Sequence, residues 1–327
     1  MITSLQAIRE AQQRLDGVVV NTPILQSAVL NERVEAQVFI KPECLQHIGA
    51  FKFRGAYNRL SRLDEDQQSK GVVAFSSGNH AQGIAYAAKL LGMSATIVMP
   101  TDAPTIKLES TRALGAEVIL YDRHNESREQ IAADIAAETG ATLVPAFDDP
   151  YIITGQGTCG LELMETLIED GNTPDLLLSP CGGGGLLAGV STAATSMSAS
   201  TLVFGVEPEK FDDHYQSRRA GQRVKIPGTA PTLCDALMAT TPGELTWSIN
   251  SKTVSDYLVV SESDVEHAVS FAWRYLKLVV EPGGAVALAA LLQHKIDITD
   301  KKVAIILSGG NIDGNTLCEC LAKFPRP

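Results

Sequence analysis

Residues 72–100 read VVAFSSGNHAQGIAYAAKLLGMSATIVMP. VVAF (72–75) and ATIVMP (95–100) are short β-branched runs, and HAQGIAYAAKLLG (80–92) carries apolar residues at helical spacing and closes on Gly92. Strand, helix, strand in so short a span predicts a parallel βαβ crossover. The polar SSGN between the first strand and the helix falls at the carboxyl edge of a parallel strand, where α/β sheets bind their ligands.

The alternation continues outward. APTIKLESTRALG (103–115) predicts a helix with Pro104 in its first turn and Gly115 past its end. EVILY (117–121) predicts a strand, SREQIAADIAAETG (127–140) a helix and TLVPAF (142–147) a strand. A second series follows: helix 160–168, strands 175–180 and 202–208, a strand at 257 leading through a capped start at Ser261 or Ser263 into a helix, helix 283–293, and the strand and turn VAIILSGGN (303–311). Segment 209–256 reads as irregular surface excursions. The strand VFIKPE (38–43) is assigned to the second series. The expected architecture is α/β, with a large domain of residues 1–52 plus 148–327 and a small inserted domain of 53–147, each an open twisted sheet flanked by helices.

Composition narrows the function. The 327 residues are 45% hydrophobic and 20% charged, with net charge −11. That acidity argues against a nucleic-acid or anionic-membrane partner. The start, MITSLQAIREAQQRL, reads as an amphipathic helix rather than a signal peptide, and no apolar run approaches a membrane span. Six scattered cysteines lack zinc spacing and suit a reducing cytoplasm.

Six short motifs carry chemistry. In PCGGGGLLAG (180–189), Gly182, Gly183, Gly184 and Gly185 follow a strand and precede a helix, so they read as a phosphate cradle ahead of a flexible turn. In SSGNHAQG (76–83), Ser76, Ser77, Asn79 and His80 hold a carboxylate, or Ser77 or Asn79 caps the helix. Ser308 in LSGGN (307–311) either donates to a ring nitrogen or caps a turn. Glu281 in EPGGA (281–285) is a helix-start carboxylate or a pocket acid. GVEPEKFDDHYQS (205–217) reads first as a solvated acidic loop; the alternative is an oxygen-rich cation site. GAFKFRGA (49–56) places Lys52 between Phe51 and Phe53, either on an edge strand facing solvent or buried where its ammonium loses its proton. Together these suit a phosphorylated pyridine aldehyde held through a lysine.

With ITGQGT (153–158) and VVEPGGA (279–285), these stretches run in order across nearly the whole chain, which resembles the fold type II pyridoxal-phosphate enzymes (tryptophan synthase β-like), and within them the threonine/serine dehydratase and serine racemase branch. The resemblance implies pyridoxal 5'-phosphate bound covalently to Lys52. Phe51 would pack on its ring and Asn79 meet its ring oxygen. Gly182 to Gly185 with Leu186 would hold its phosphate, Glu281 would border it, and Ser308 would meet its nitrogen. Ser76, Ser77, Asn79 and His80 would take the substrate carboxylate, Ser77 would face Lys52 as a second acid/base, and Arg128 would stand near the substrate entrance. Glu207, the Phe211 carbonyl and Asp213 match the family's divalent cation site (Mg2+ or Ca2+), which reverses the solvated-loop reading. Asp235-Ala236 departs from the family's usual Asp-Gly, which leaves the substrate open. The implied activity is β-elimination from serine, threonine or 3-hydroxyaspartate by a cytoplasmic homodimer. The alternatives are a serine or aspartate racemase with lyase side activity, a β-replacement synthase, and a non-catalytic binding protein.

Overall fold

The computed structural model describes residues 3–76, 78–103, 105–123 and 125–326. Among the described residues, nine strands form two sheets. The first has the order β1 (Gln37–Pro42), β9 (Lys302–Leu307), β6 (Leu176–Pro180), β7 (Leu202–Pro208), β8 (Asp256–Val260). The second has the order β4 (Glu117–Tyr121), β3 (Ala95–Pro100), β2 (Val72–Phe75), β5 (Thr142–Leu143). Every pairing between these strands is parallel. Parallel strands need helices on both faces, and that is why LLLSP in β6 is buried at all five positions. β1 pairs with β9, so VFIKPE joins the first sheet as expected.

β2, β3, β4 and β7 occupy the residues expected of them. Ser261 caps helix Glu262–Phe271 in a capping box with Asp264, as one of the two expected starts. Four expectations are corrected. TLVPAF is a strand only at Thr142–Leu143, because Pro145 has no N–H for the ladder and the chain leaves the sheet there. Helix 160–168 is the end of a longer helix, Pro150–Glu169, that contains ITGQGT. Segment 209–256 holds helices Asp213–Ala220 and Glu244–Thr253. Lys52 opens helix Lys52–Leu60 rather than lying on a strand.

The long helix escapes sequence reading because of its glycines. A Cβ on Gly155 would stand 2.6 Å from Gly55 Cα, and one on Gly189 would stand 2.6 Å from Gly157 N. The glycines therefore mark close backbone contacts with helices Lys52–Leu60 and Gly185–Met197, not breaks. Beside them lies a buried ionic group. Arg54 donates to Glu43 at 2.7 and 2.9 Å and to Glu162 at 2.6 and 2.9 Å, and Lys41 donates to Glu162 at 2.7 Å. It ties β1, helix Lys52–Leu60 and helix Pro150–Glu169 together. No helix among the described residues is long and apolar enough to cross a membrane.

Candidate active site

The carboxyl ends of β2, β6 and β9 meet around a cavity of about 300 Å³. It is lined by Phe51, Lys52, Ser76, Asn79, His80, Gly182 to Gly185, Leu186, Glu281, Ser308 and Arg128, so the structure gathers nine expected site residues and the four glycines at one place. Ser77 lies outside the described residues. Glu207, Phe211 and Asp213 do not line this cavity.

Lys52 reaches it through a main-chain crossing. Ala50 bridges Gly309, and Phe51 N donates to Ser308 O at 3.1 Å, which sets the start of Lys52–Leu60 against the end of β9. Lys52 Nζ donates to Ala146 O at 2.9 Å and lies 5.2 Å from the centroid of the Phe51 ring. Withdrawal from water lowers its pKa to about 8, against the opposing charge of Glu281. A useful fraction of the amine is therefore neutral near neutral pH.

Glu281, 1% exposed, is pushed the other way. Burial lifts its carboxyl to about 7, opposed by Lys107 and reinforced by Asp235. Asn79 Nδ2 donates to Glu281 Oε1, and Asn311 Nδ2 donates to Asn79 Oδ1 at 2.8 Å, while the buried Oε2 has no partner. Glu281 is thus a pocket acid that also occupies the N-cap position of helix Pro282–Leu292, without a cap bond from its side chain.

At the end of β2, Gly78 is the N-cap of helix Asn79–Leu90, and among the described residues no side chain caps it. Ser76 Oγ instead accepts from Gly78 N at 3.2 Å. The capping alternative is overturned for Asn79, and the helix start remains open to an anion. His80 Nε2 donates to Val144 O at 3.2 Å, leaving the buried Nδ1 without a partner. Burial, with the nearby Lys52 charge, pushes His80 down to about 3, so it stays neutral.

The glycine loop has the features of an anion cradle. Among the described residues, none of the N–H groups of Gly182 to Leu186 donates to another main-chain group. Gly184 adopts φ +91°, a conformation side chains disfavour. A Cβ on Gly183 would lie 2.5 Å from the Phe147 ring. The loop leads into helix Gly185–Met197, whose positive end faces the cavity.

Within the cavity lining, Arg128 stacks on Phe75 at 5.2 Å and its Nε donates to Glu129 at 2.9 Å; Tyr121 and Arg123 line the cavity too. Ala236 and Asp235 also line the cavity, and Asp235 pairs with buried Lys107. Phe147, Tyr121, Arg123 and Lys107 were missed. Position past a parallel strand end could have flagged Phe147 and Tyr121; no local signal marks Lys107.

Glu207, Phe211 and Asp213, the residues of the expected cation set, are fully buried outside this cavity. Both Glu207 oxygens accept main-chain N–H groups, from His214 at 3.0 Å and Tyr215 at 2.8 Å. Both Asp213 oxygens are buried without a partner. Burial lifts Asp213 to about 8, and burial with the Asp213 charge raises Glu207. Among the described residues, no three His, Cys, Asp or Glu side chains group as metal ligands; the expected set has two carboxylates and one carbonyl.

The family described as "Pyridoxal-phosphate dependent enzyme" matches residues 15–309. The chain is similar to L-threo-3-hydroxyaspartate ammonia-lyase of Saccharomyces cerevisiae, with 47% identity over 306 residues, 94% of this chain and 92% of that protein. It is 43% identical over 323 residues to L-threonine ammonia-lyase of Thermotoga maritima, covering 99% of this chain and 79% of that one. Among solved structures, maize serine racemase superposes with TM-score 0.92 at 40% identity, covering 99% of this chain and 98% of the other.

Proposed function

Because the chain belongs to the pyridoxal-phosphate-dependent enzyme family, we propose that it removes the β-hydroxyl and the amine from a β-hydroxy amino acid, releasing a 2-oxo acid and ammonia. The observation that carries this reading is the Lys52 amine, held at a pKa of about 8, in the same cavity as an unengaged anion cradle. The residues fit the cofactor. Lys52 would hold it covalently, Gly182 to Leu186 its phosphate, Phe51 its ring face, Asn79 and Glu281 its oxygen side, and Ser308 its nitrogen. When bound, pyridoxal phosphate supplies the electron sink that makes the substrate α-proton acidic.

The protein's own part is orientation and proton movement. The open helix start at Asn79, with Ser76 and the neutral His80, holds the substrate carboxylate. The neutral Lys52 Nζ takes the α-proton and, as an ammonium, can return a proton to the departing hydroxyl. Ser308 carries no negative charge, so it does not stabilise a protonated ring nitrogen, and prompt elimination is favoured over slower outcomes.

The substrate is serine, threonine or 3-hydroxyaspartate. Arg123 and Arg128 in the cavity lining favour the last, whose second carboxylate needs a cation. A panel of L- and D-serine, threonine and both 3-hydroxyaspartate diastereomers, read as 2-oxo acid release, tests the reading; no release from any of them overturns it. The similarity to maize serine racemase supports a second activity, inversion at the α-carbon, with Ser77 as the partner of Lys52. Chiral analysis of L-serine after incubation checks it, and absence of D-serine removes it.

Four further points belong to the proposal. Residues 1–52 with 148–327 form the cofactor-holding domain and 53–147 the smaller one. Mg2+ or Ca2+ binds Glu207, Asp213 and the Phe211 carbonyl. The unpartnered buried oxygens of Asp213 are the kind of hard donor such ions take. Chelation should lower the melting temperature and added Mg2+ restore it; an unchanged melting curve would remove the ion. The protein is also taken to be a cytoplasmic homodimer, which sedimentation and cell fractionation would check.

A further inference from the structure

The N–H groups of the glycine loop converge on the cavity only if its carbonyls turn away, and the structure shows what holds them. Thr246 Oγ1 donates to Gly183 O at 2.8 Å, and Asn250 Nδ2 donates to Gly184 O at 3.2 Å. Both donors are 0% exposed and sit one turn apart on the same face of helix Glu244–Thr253.

That helix has no capping side chain of its own, since its N-cap is Gly243. The cap comes from a distant part of the chain. Asp148 accepts the N–H groups of Glu244 at 2.9 Å, Leu245 at 2.9 Å and Thr246 at 3.1 Å, and it occupies the space a Gly243 side chain would need. Asp148 follows Phe147, the residue packed against Gly183. On the other side, a Cβ on Gly184 would stand 2.7 Å from the His214 ring. The loop is thus gripped through its carbonyls and walled on two sides. None of Asp148, Thr246 and Asn250 lines the cavity.

We propose that Asp148, Thr246 and Asn250 are positioning residues that aim the Gly182–Leu186 N–H groups at the phosphate of the cofactor. The proposal rests on the pyridoxal-phosphate reading above. It makes a specific demand: these residues matter for a ligand that carries a phosphate and not for the same ring without one.

The test is equilibrium binding of pyridoxal phosphate and of unphosphorylated pyridoxal to cofactor-stripped full-length protein. Thr246→Val and Asn250→Ala should each raise the Kd for pyridoxal phosphate about 5- to 10-fold, as expected for one lost hydrogen bond. The Kd for pyridoxal should stay unchanged, and Thr246→Ser should restore wild-type affinity. Inorganic phosphate should compete less well against pyridoxal phosphate in the variants. Equal weakening of both compounds, or weakening of neither, overturns the proposal. A wild type that binds neither compound overturns the cofactor reading itself. Should Asn250→Ala fail to fold, the near-isosteric Thr246→Val carries the comparison.

Discussion

Lys52 and Arg54 stand two residues apart in one helix, and the molecule treats their charges in opposite ways. Arg54 is fully enclosed and is answered by Glu43 and Glu162, while Lys41 supports Glu162 and Thr22 donates to Glu43 at 2.7 Å. Burial acts against the Arg54 charge, yet the two carboxylates outweigh it, so the guanidinium stays firmly protonated and Glu43 stays below the usual carboxylate range. Lys52 has one carbonyl for a partner, and its pKa falls. The same contrast separates Glu43 from Glu281, Glu207 and Asp213, which burial pushes up. Counter-charge is concentrated where the frame must be rigid and withheld where a group must change its proton or meet a ligand.

The strongest way to break this contrast is to remove each cation. Lys52→Ala should lower 2-oxo acid release by about 1,000-fold or more while leaving the urea midpoint unchanged or raised; retained turnover would return Lys52 to the scaffold. Arg54→Met strands the buried Glu43 and leaves Glu162 to Lys41 alone, and should destabilise by ~3–5 kcal/mol in urea unfolding. A loss below ~1 kcal/mol would show that the ionic group is not holding the frame.

A third prediction uses pH. Glu281 has a folded pKa of about 7 against an ordinary 4.5. Between those values the folded carboxyl keeps its proton and the unfolded one loses it. The Glu281 contribution to the stability of the cofactor-free protein should therefore fall as pH rises from about 4.5 to 7, and the difference in unfolding free energy between wild type and Glu281→Gln should show that slope. Asp213, lifted to about 8, and Glu207, also raised, act in the same direction, while His80, pushed down to about 3, acts oppositely as pH rises toward 6.5. Glu43, shifted down, works oppositely and withdraws its stability only below pH 4.5. The smallest effect belongs to the cavity wall. Ala236→Gly deletes one methyl and should change the serine-to-threonine kcat/KM ratio by about 10-fold at most.

Much of this was legible in sequence because parallel strands buried on both faces leave continuous apolar runs, as in VVAF, ATIVMP and VAIILS. Ligand-bearing turns sit at the ends of those runs, so the cavity-forming positions of Lys52, Asn79, the four glycines, Glu281 and Ser308 could be picked out before their distances were known. Helix Pro150–Glu169 was cut short because Gly155 and Gly157 answer to partners at Gly55 and Gly189, far away in the chain. Asp148, Thr246 and Asn250 carried no signal for a similar reason. A capping aspartate nearly a hundred residues from its helix resembles any polar loop residue, and a donor aimed at a carbonyl leaves no motif.

Those glycine contacts have one more consequence. Helix Pro150–Glu169 touches the helix that carries Lys52 through Gly55 and the helix that follows the cradle through Gly189, in both cases backbone against backbone. A side-chain contact has rotamers and can slacken; at these two points there are none. The long helix therefore works as a gauge block between the amine and the phosphate cradle, fixing the span into which a ligand of set length must fit. A methyl added at Gly155 would alter that span rather than any contact with the ligand, and would show itself as a tolerance error: a molecule able to dock at either end but not at both.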